Sequence, residues 1–313
     1  MIITVTLNPA MDKTMILDGI EIGEVNRADS VRNDVGGKGI NVSKVLKALG
    51  TDSMATGFLG GILEDLFHKE LKKLEIEDRF TSVEGNTRTN IKLVDRKNNT
   101  NTDINEPGPI ISSSELEQFL RVFNEALHEG DLVVLSGGIP QNIPSDIYGT
   151  LTRKAKEKGA KVVVDADGEA LSHALNEIPY MIKPNEKELG AFLGKEVLSE
   201  EEIIEEAKAF VKKGIHKVLV SRGEKGSIFV TENTVHIGRG IKVEVKSTVG
   251  AGDSMVAALV YADERKLDDY ETLVIAQATG AAAVTTEGTE ACTREEMEKY
   301  LTIAREKIEE EKK

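Results

Sequence analysis

The chain has 313 residues, 40% hydrophobic and 30% charged, a composition that supplies a sizeable globular core. Its formal net charge is −14 with no offsetting basic run, which argues against a nucleic-acid surface, and no apolar stretch approaches membrane-spanning length. The single Cys292 excludes an intramolecular disulfide, and Met1–Leu7 reads as a buried strand and not a signal peptide, so a cytoplasmic location is expected.

The first predicted element is a strand over Ile2–Leu7. Asn8-Pro9-Ala10-Met11-Asp12 follows at its carboxyl end, the edge where open α/β sheets bind ligands, so Asp12 is placed to accept from sugar hydroxyls. Residues 12–35 read as β-ribbon with turns. Gly36-Gly37-Lys38-Gly39-Ile40-Asn41 then leads into a helix, Lys38–Leu49, with Val42, Val45, Leu46 and Leu49 on one face. A glycine-led helix start favours anions; Lys38 could act there as a point charge and Asn41 could bond hydroxyls. The alternative is a turn with a solvated lysine. The Walker spacing is absent.

Residues 86–104 form a second predicted ribbon. Its period of two puts Arg88, Asn90 and Lys92 on one face and Thr89, Ile91 and Leu93 on the other. That suits a lid over an anionic ligand, and equally an exposed edge hairpin. Further strands are predicted at Leu132–Ser136, Lys161–Asp165 and Lys217–Ser221, each followed by a segment of helical length. The alternation predicts an α/β fold: a mainly parallel sheet with helices on both faces, in one domain (1–313) with an inserted β lid.

Lys183-Pro184-Asn185-Glu186-Lys187-Glu188 contains a capping box, Asn185 with Glu188, and the same groups could sit near nucleotide phosphates and a water-bound Mg²⁺. Ser221-Arg222-Gly223-Glu224-Lys225-Gly226 is a hairpin turn or a nucleotide-edge loop. A β-rich approach (Ile241, Val243, Val245) is expected to run into Ser247-Thr248-Val249-Gly250-Ala251-Gly252-Asp253-Ser254 and an apolar helix. Asp253 is there either a helix cap or a base beside a phosphoryl group in flight. Thr272–Val284 reads as a closely buried helix. The last helix opens on a Thr293/Glu296 box with the stripe Met297, Leu301, Ala304, Ile308, and Glu309–Lys313 is expected to fray. His68, His128, His173, His216 and His236 lack metal-ligand spacing.

Taken together, the Gly-Gly-Lys-Gly and Gly-Ala-Gly-Asp segments resemble both motifs of the ribokinase-like (PfkB) carbohydrate kinase family, over residues 3 to about 292. Thr6-Leu7-Asn8-Pro9-Ala10-x-Asp12, Val25-Asn26-Arg27, Gly37–Ser43 and Thr102–Gly108 are most similar to the bacterial branch acting on D-fructose 1-phosphate. The branch acting on tagatose 6-phosphate shares the Asn-Pro start and Val-Asn-Arg. Ser247 stands where the wider family commonly has aspartate, which favours a phosphosugar branch and sets aside a borrowed monovalent-cation site.

The resemblance implies in-line phosphoryl transfer from ATP with Mg²⁺. Asp253 would be the general base, with backbone N–H groups from Gly250, Ala251 and Gly252 to Asp253 holding the moving charge. Asp12, Gly37, Lys38 and Asn41 would hold the sugar, and Arg27, Arg88, Asn90 and Ser136 would lie near its phosphate. Lys183, Asn185, Glu188, Ser221, Gly223 and Gly226 would line the ATP side, Glu188 reaching Mg²⁺ through water. The implied partner is a small sugar phosphate, with no nucleic acid or membrane, and a homodimer through the lid is expected by analogy. Two other classes are weaker. A dinucleotide oxidoreductase lacks its glycine fingerprint after the first strand. A non-catalytic sugar-phosphate regulator would not need Asp253, its glycines and Glu188 together.

Overall fold

A computed structural model describes residues 1–286 and 290–310. Short β-branched runs form its strands, and glycines or polar clusters stop them. In chain order these are β1 (Ile2–Thr6), β2 (Ala10–Leu17) and β3 (Ser30–Gly36), then α1 (Lys38–Ala48), β4 (Met54–Gly60) and α2 (Glu64–Lys73). The short β5 (Glu77–Asp78) and β6 (Thr81–Val83) precede the hairpin of β7 (Arg88–Asp95) and β8 (Thr100–Asn105). Next come α3 (Ser113–Ala126), β9 (Leu132–Ser136), α4 (Ile147–Glu157), β10 (Lys161–Asp165) and α5 (Gly168–Asn176). Then follow β11 (Met181–Ile182), α6 (Glu186–Leu193), α7 (Glu200–Lys212), β12 (Lys217–Ser221), β13 (Gly226–Thr231) and β14 (Val235–Arg239). The chain closes with α8 (Ala251–Glu264), α9 (Asp269–Ala283), α10 (Arg294–Glu306) and β15 (Ile308–Glu310).

The large sheet runs β15-β14-β13-β12-β11-β10-β9-β1-β4-β5, with β6 beside β4. From β12 to β5 the pairings are parallel, and β12 through β15 are antiparallel. The mainly parallel sheet agrees with the predicted alternation. Both faces are covered. Ile3, Val133, Val162 and Val218 face a core with α3, α4 and α7, whereas Ile2, Val134, Val163 and Leu219 face one with α1, α8, α9 and α10. Parallel register brings the carboxyl ends to one edge: Asp165 pairs with Ser136, and Ile182 pairs with Val164 and Val218.

The two predicted ribbons join into a second sheet, β3-β2-β7-β8. Asp12 is registered with Asn90 and Thr14 with Lys92, so one face is polar; Met15, Leu93 and Val31 share the other. Met11 and Val35, at the base of that apolar face, pack with Ile40 and Ala55 of the body.

Three sequence expectations are corrected. Residues 241–249 form no strand, because the free edge of β14 is taken by β15 and Gly240 leaves the sheet tightly against the Glu224 carbonyl. The segment after α10 is not wholly frayed. Ile308, expected on the helix stripe, lies instead in β15, where it is registered with Gly238; Glu309 is registered with Ile237 and its carboxylate lies 3.0 Å from Arg239. Residues 311–313 lie outside the described residues. The buried α9 begins earlier than predicted, at Asp269, because the Asp268 side chain accepts from Glu271 N and starts the helix in a polar stretch. No described helix is long and apolar enough to cross a membrane.

Candidate active site

The chemistry begins at the first turn of α8. Gly250 occupies the N-cap in a left-handed conformation (φ 82°), and no side chain caps the helix. The first-turn N–H groups are therefore open to an anion, reinforced by the helix dipole. Lys183 Nζ lies 3.3 Å from where a Cβ on Gly252 would sit, so that ammonium packs close against the turn. Asp253 is not the cap. Its carboxylate is 6% exposed and accepts from Asn41 Nδ2 at 2.8 Å. Burial, and then the negative charge of Asp165, push its pKa up to about 6.

Asp165, at the carboxyl end of β10, was passed over by the sequence reading, which took it only as the end of a strand. It is 1% exposed, with Lys183 Nζ at 3.2 Å, Lys38 Nζ at 3.5 Å and Ser136 Oγ at 3.3 Å. Burial alone would raise its pKa, yet the two lysines hold it below the usual carboxylate range. Reciprocally, Asp165 raises the pKa of Lys38 against the effect of burial. The available signal was an acid closing Lys-Val-Val-Val-Asp at the same sheet edge as Ser136 and Lys183.

The Gly37 turn sets Lys38 and Asn41. Gly37 has φ 122°, no side chain caps α1, and a Cβ there would come within 2.5 Å of Thr6 Cγ2. Lys44, on the same helix, donates to the Val35 carbonyl. Burial lowers its pKa, and the charges of Asp34, Asp12 and Asp253 oppose that effect, so this one amine feels acids of the small sheet and of α8.

On the small sheet, Asp12 accepts from Asn90 Nδ2 at 3.2 Å and from Lys92 Nζ at 3.0 Å. The side-chain oxygens of Asn8, Asn41 and Asn90 are buried without a partner, which suits ligand hydroxyls as donors. Arg88 donates to the Asn8 carbonyl through Nε (3.2 Å) and Nη2 (3.0 Å), and to the Glu106 carbonyl through Nη1 (3.1 Å). It thus ties the segment Asn105–Gly108 to the end of β1, and burial lowers its pKa. Arg27 stands in the exposed stretch 21–29, with no bond to this cluster among the described residues. The structure therefore gathers Lys38, Asn41, Ser136, Lys183 and Asp253 around Asp165, sets Asp12, Arg88 and Asn90 on the small-sheet side, and leaves Arg27 outside.

The remaining predicted residues line one further stretch of the edge. Asn185 and Glu188 form the expected capping box, each accepting the other's backbone N–H at 2.8 Å. Ser221 N donates to the Pro184 carbonyl at 3.1 Å, joining this helix start to the β12–β13 hairpin. In that hairpin Gly223 (φ 56°) and Gly226 (φ 97°) are both in positive-φ conformations, and a Cβ on Gly226 would fall 1.9 Å from the Gly238 carbonyl oxygen. The capping box uses Oε2 of Glu188 and leaves Oε1 without a hydrogen bond among the described residues. Among the described residues no group of three or more His, Cys, Asp or Glu could hold a metal by itself. One carboxylate plus ligand phosphates and water is nevertheless a normal Mg²⁺ environment.

The model of the pfkB family carbohydrate kinases matches residues 5–296. The chain belongs to that family. It is a carbohydrate kinase, moving a phosphoryl group from ATP to a sugar hydroxyl. A 1-phosphofructokinase of Bacillus subtilis is 37% identical over 292 residues, covering 93% of this chain and 95% of the relative. Escherichia coli phosphofructokinase-2, solved with substrates and products, superposes with a TM-score of 0.93 at 28% identity over 97% of this chain and 99% of that one. A ribokinase of Thermotoga maritima shares the fold, with a TM-score of 0.77 at 24% identity over 96% and 99% of the two chains.

Proposed function

We propose that this kinase is a 1-phosphofructokinase: it phosphorylates the 6-hydroxyl of D-fructose 1-phosphate, giving fructose 1,6-bisphosphate and ADP. The observation that carries the mechanism is Asp253, a carboxylate with a pKa pushed up to about 6 at the uncapped start of α8. A buried base in that range accepts a hydroxyl proton at neutral pH yet is ionised before the reaction. As the hydroxyl attacks, Asp253 removes its proton, and the N–H groups from Gly250 to Asp253 stabilise the charge on the transferring group. Lys38 and Lys183, balanced by Asp165, supply positive charge beside it. This is catalysis by position and electrostatics.

Asp12, Gly37, Asn41 and Asn90 hold the acceptor's hydroxyls on this reading, with Arg88 and Ser136 toward its phosphate. Asn185, Ser221, Gly223 and Gly226 border ATP, and Glu188 holds Mg²⁺ through water. Magnesium, when bound, neutralises phosphate charge. The molecule is read as one cytoplasmic catalytic domain whose small sheet is a lid, and the apolar face of that lid is proposed to pair with a second copy. The choice of acceptor is supported by the 37% identity to a 1-phosphofructokinase and by the segments Thr102–Gly108 and Gly37–Ser43. Measuring kcat/KM for fructose 1-phosphate, fructose 6-phosphate and tagatose 6-phosphate tests it, with fructose 1-phosphate expected to lead. A preference for tagatose 6-phosphate would sink the acceptor assignment and leave the mechanism standing.

A further inference from the structure

The far end of α8 carries a second buried acid. Asp263 is 9% exposed; its Oδ2 accepts from Lys161 Nζ at 2.9 Å, and its Oδ1 accepts from Lys217 Nζ and from the Tyr180 hydroxyl, both at 2.8 Å. Lys161 also lies over the Tyr180 ring, 4.4 Å from its centroid. A carboxylate in the last turn of a helix opposes the dipole, so helix stability does not account for it. Its partners do. Lys161 opens β10, Tyr180 precedes β11, and Lys217 opens β12. These strands carry Asp165, Lys183 and Ser221 at or just beyond their other ends.

The rest of α8 is held mainly by apolar contact, with Met255 through Val260 buried on every side. Apolar burial is non-directional and fixes the height of a smooth helix along its axis poorly. A buried ionic group is best attested as a register device. Over its 14 residues α8 spans about 21 Å at about 1.5 Å per residue, so a shift at Asp263 is carried rigidly to Asp253.

We propose that Asp263 is a positioning residue: it sets the axial register of α8 against β10, β11 and β12, and thereby the place of Asp253 relative to Asp165 and Lys183. The inference rests on reading the first turn of α8 as the phosphoryl site. Its test is steady-state kinetics of full-length Asp263→Asn with ATP and fructose 1-phosphate, at a temperature where circular dichroism shows the variant folded. The expected result is a kcat lowered about tenfold, because a small misplacement of reacting groups is expensive. Both KM values should stay within about twofold, since binding contacts remain. Asp263→Glu, which keeps the charge for both lysines, should recover part of the lost rate. A folded Asp263→Asn with wild-type kcat would reduce the cluster to a stabilising role and overturn the proposal. If Asp263→Asn does not fold, Lys161→Met and Lys217→Met each remove one tie, and unchanged kcat in both overturns it equally. A wild-type chain inactive on every sugar phosphate would defeat the phosphoryl-site reading and this inference together; an active wild type beside an equally active folded variant defeats only the inference.

Discussion

The two walls of the candidate site, one on the large sheet and one on the small, are built differently. On the large-sheet wall, Asp253, Asp165 and Lys183 are each at most 6% exposed, and the pKa values of the two acids are displaced in opposite directions. On the small-sheet wall, Asp12 is buried, but Arg88 and Asn90 are only half-buried, and their donors are engaged with one another's strands and with backbone carbonyls. On the first wall two buried acids and two lysines face one another before any ligand arrives; on the second, Asp12 is already paired with Lys92 and Asn90. On the proposed function this predicts a division of labour: changes on the large-sheet wall should act mainly on rate, and changes on the small-sheet wall mainly on affinity.

The largest expected effect sharpens that division on the first wall. Asp253→Asn should lower kcat by about 10²- to 10⁴-fold. It should also stabilise the fold. Native Asp253 binds its proton more tightly than the unfolded chain does, so its contribution to stability declines as pH rises from the ordinary carboxylate range toward 6. Removing the ionised group should therefore add about 1–3 kcal/mol at pH 7. Initial rates and urea unfolding of the same preparation check both halves. A variant losing activity and stability together would make Asp253 an ordinary structural acid.

Asp165→Asn tests the same wall in the opposite sense. It leaves Lys38 and Lys183 without their shared counter-charge, and breaking such a buried pair typically destabilises by about 3–5 kcal/mol. Because Asp165 is held below the usual range, its contribution is present above the unfolded carboxylate pKa and is lost as pH falls through its lower native value. The difference between wild type and variant in urea midpoint should thus be full at pH 7 and shrink in acid. A difference constant with pH would break the assignment.

The smallest of the three effects belongs to the second wall. Arg88→Lys removes the planar fork that bridges the Asn8 and Glu106 carbonyls, and KM for the sugar phosphate should rise about tenfold. KM for ATP should not move. A change confined to ATP would place Arg88 on the wrong side of the comparison.

Legibility in the sequence followed the range of the interactions. β1, β9, β10 and β12 could be read because their β-branched runs are local, and the starts of α1 and α8 because glycine there answers a local backbone demand. The Asn185–Glu188 and Thr293–Glu296 boxes also depend only on residues three apart. Asp165 shows in the sequence only as an acid closing a strand, since its importance comes from Lys38 and Lys183, brought to it by the packing of distant segments. Non-local pairing likewise decided 241–249 and β15: which segment occupies the edge of β14 is a competition that neither segment's own composition resolves.

That edge has a bearing on how the protein is made. β15 follows α8, α9 and α10 in the chain, so it can meet β14 only once those segments have been synthesised, and Arg239 then has both the Lys307 carbonyl and the Glu309 carboxylate as acceptors. A chain emerging from the ribosome therefore carries an unpaired β14 edge for as long as those three helices are incomplete, and such an edge is a template for a neighbouring chain. Ile237 and Gly238 are the residues of that edge on which Glu309 and Ile308 of β15 finally close.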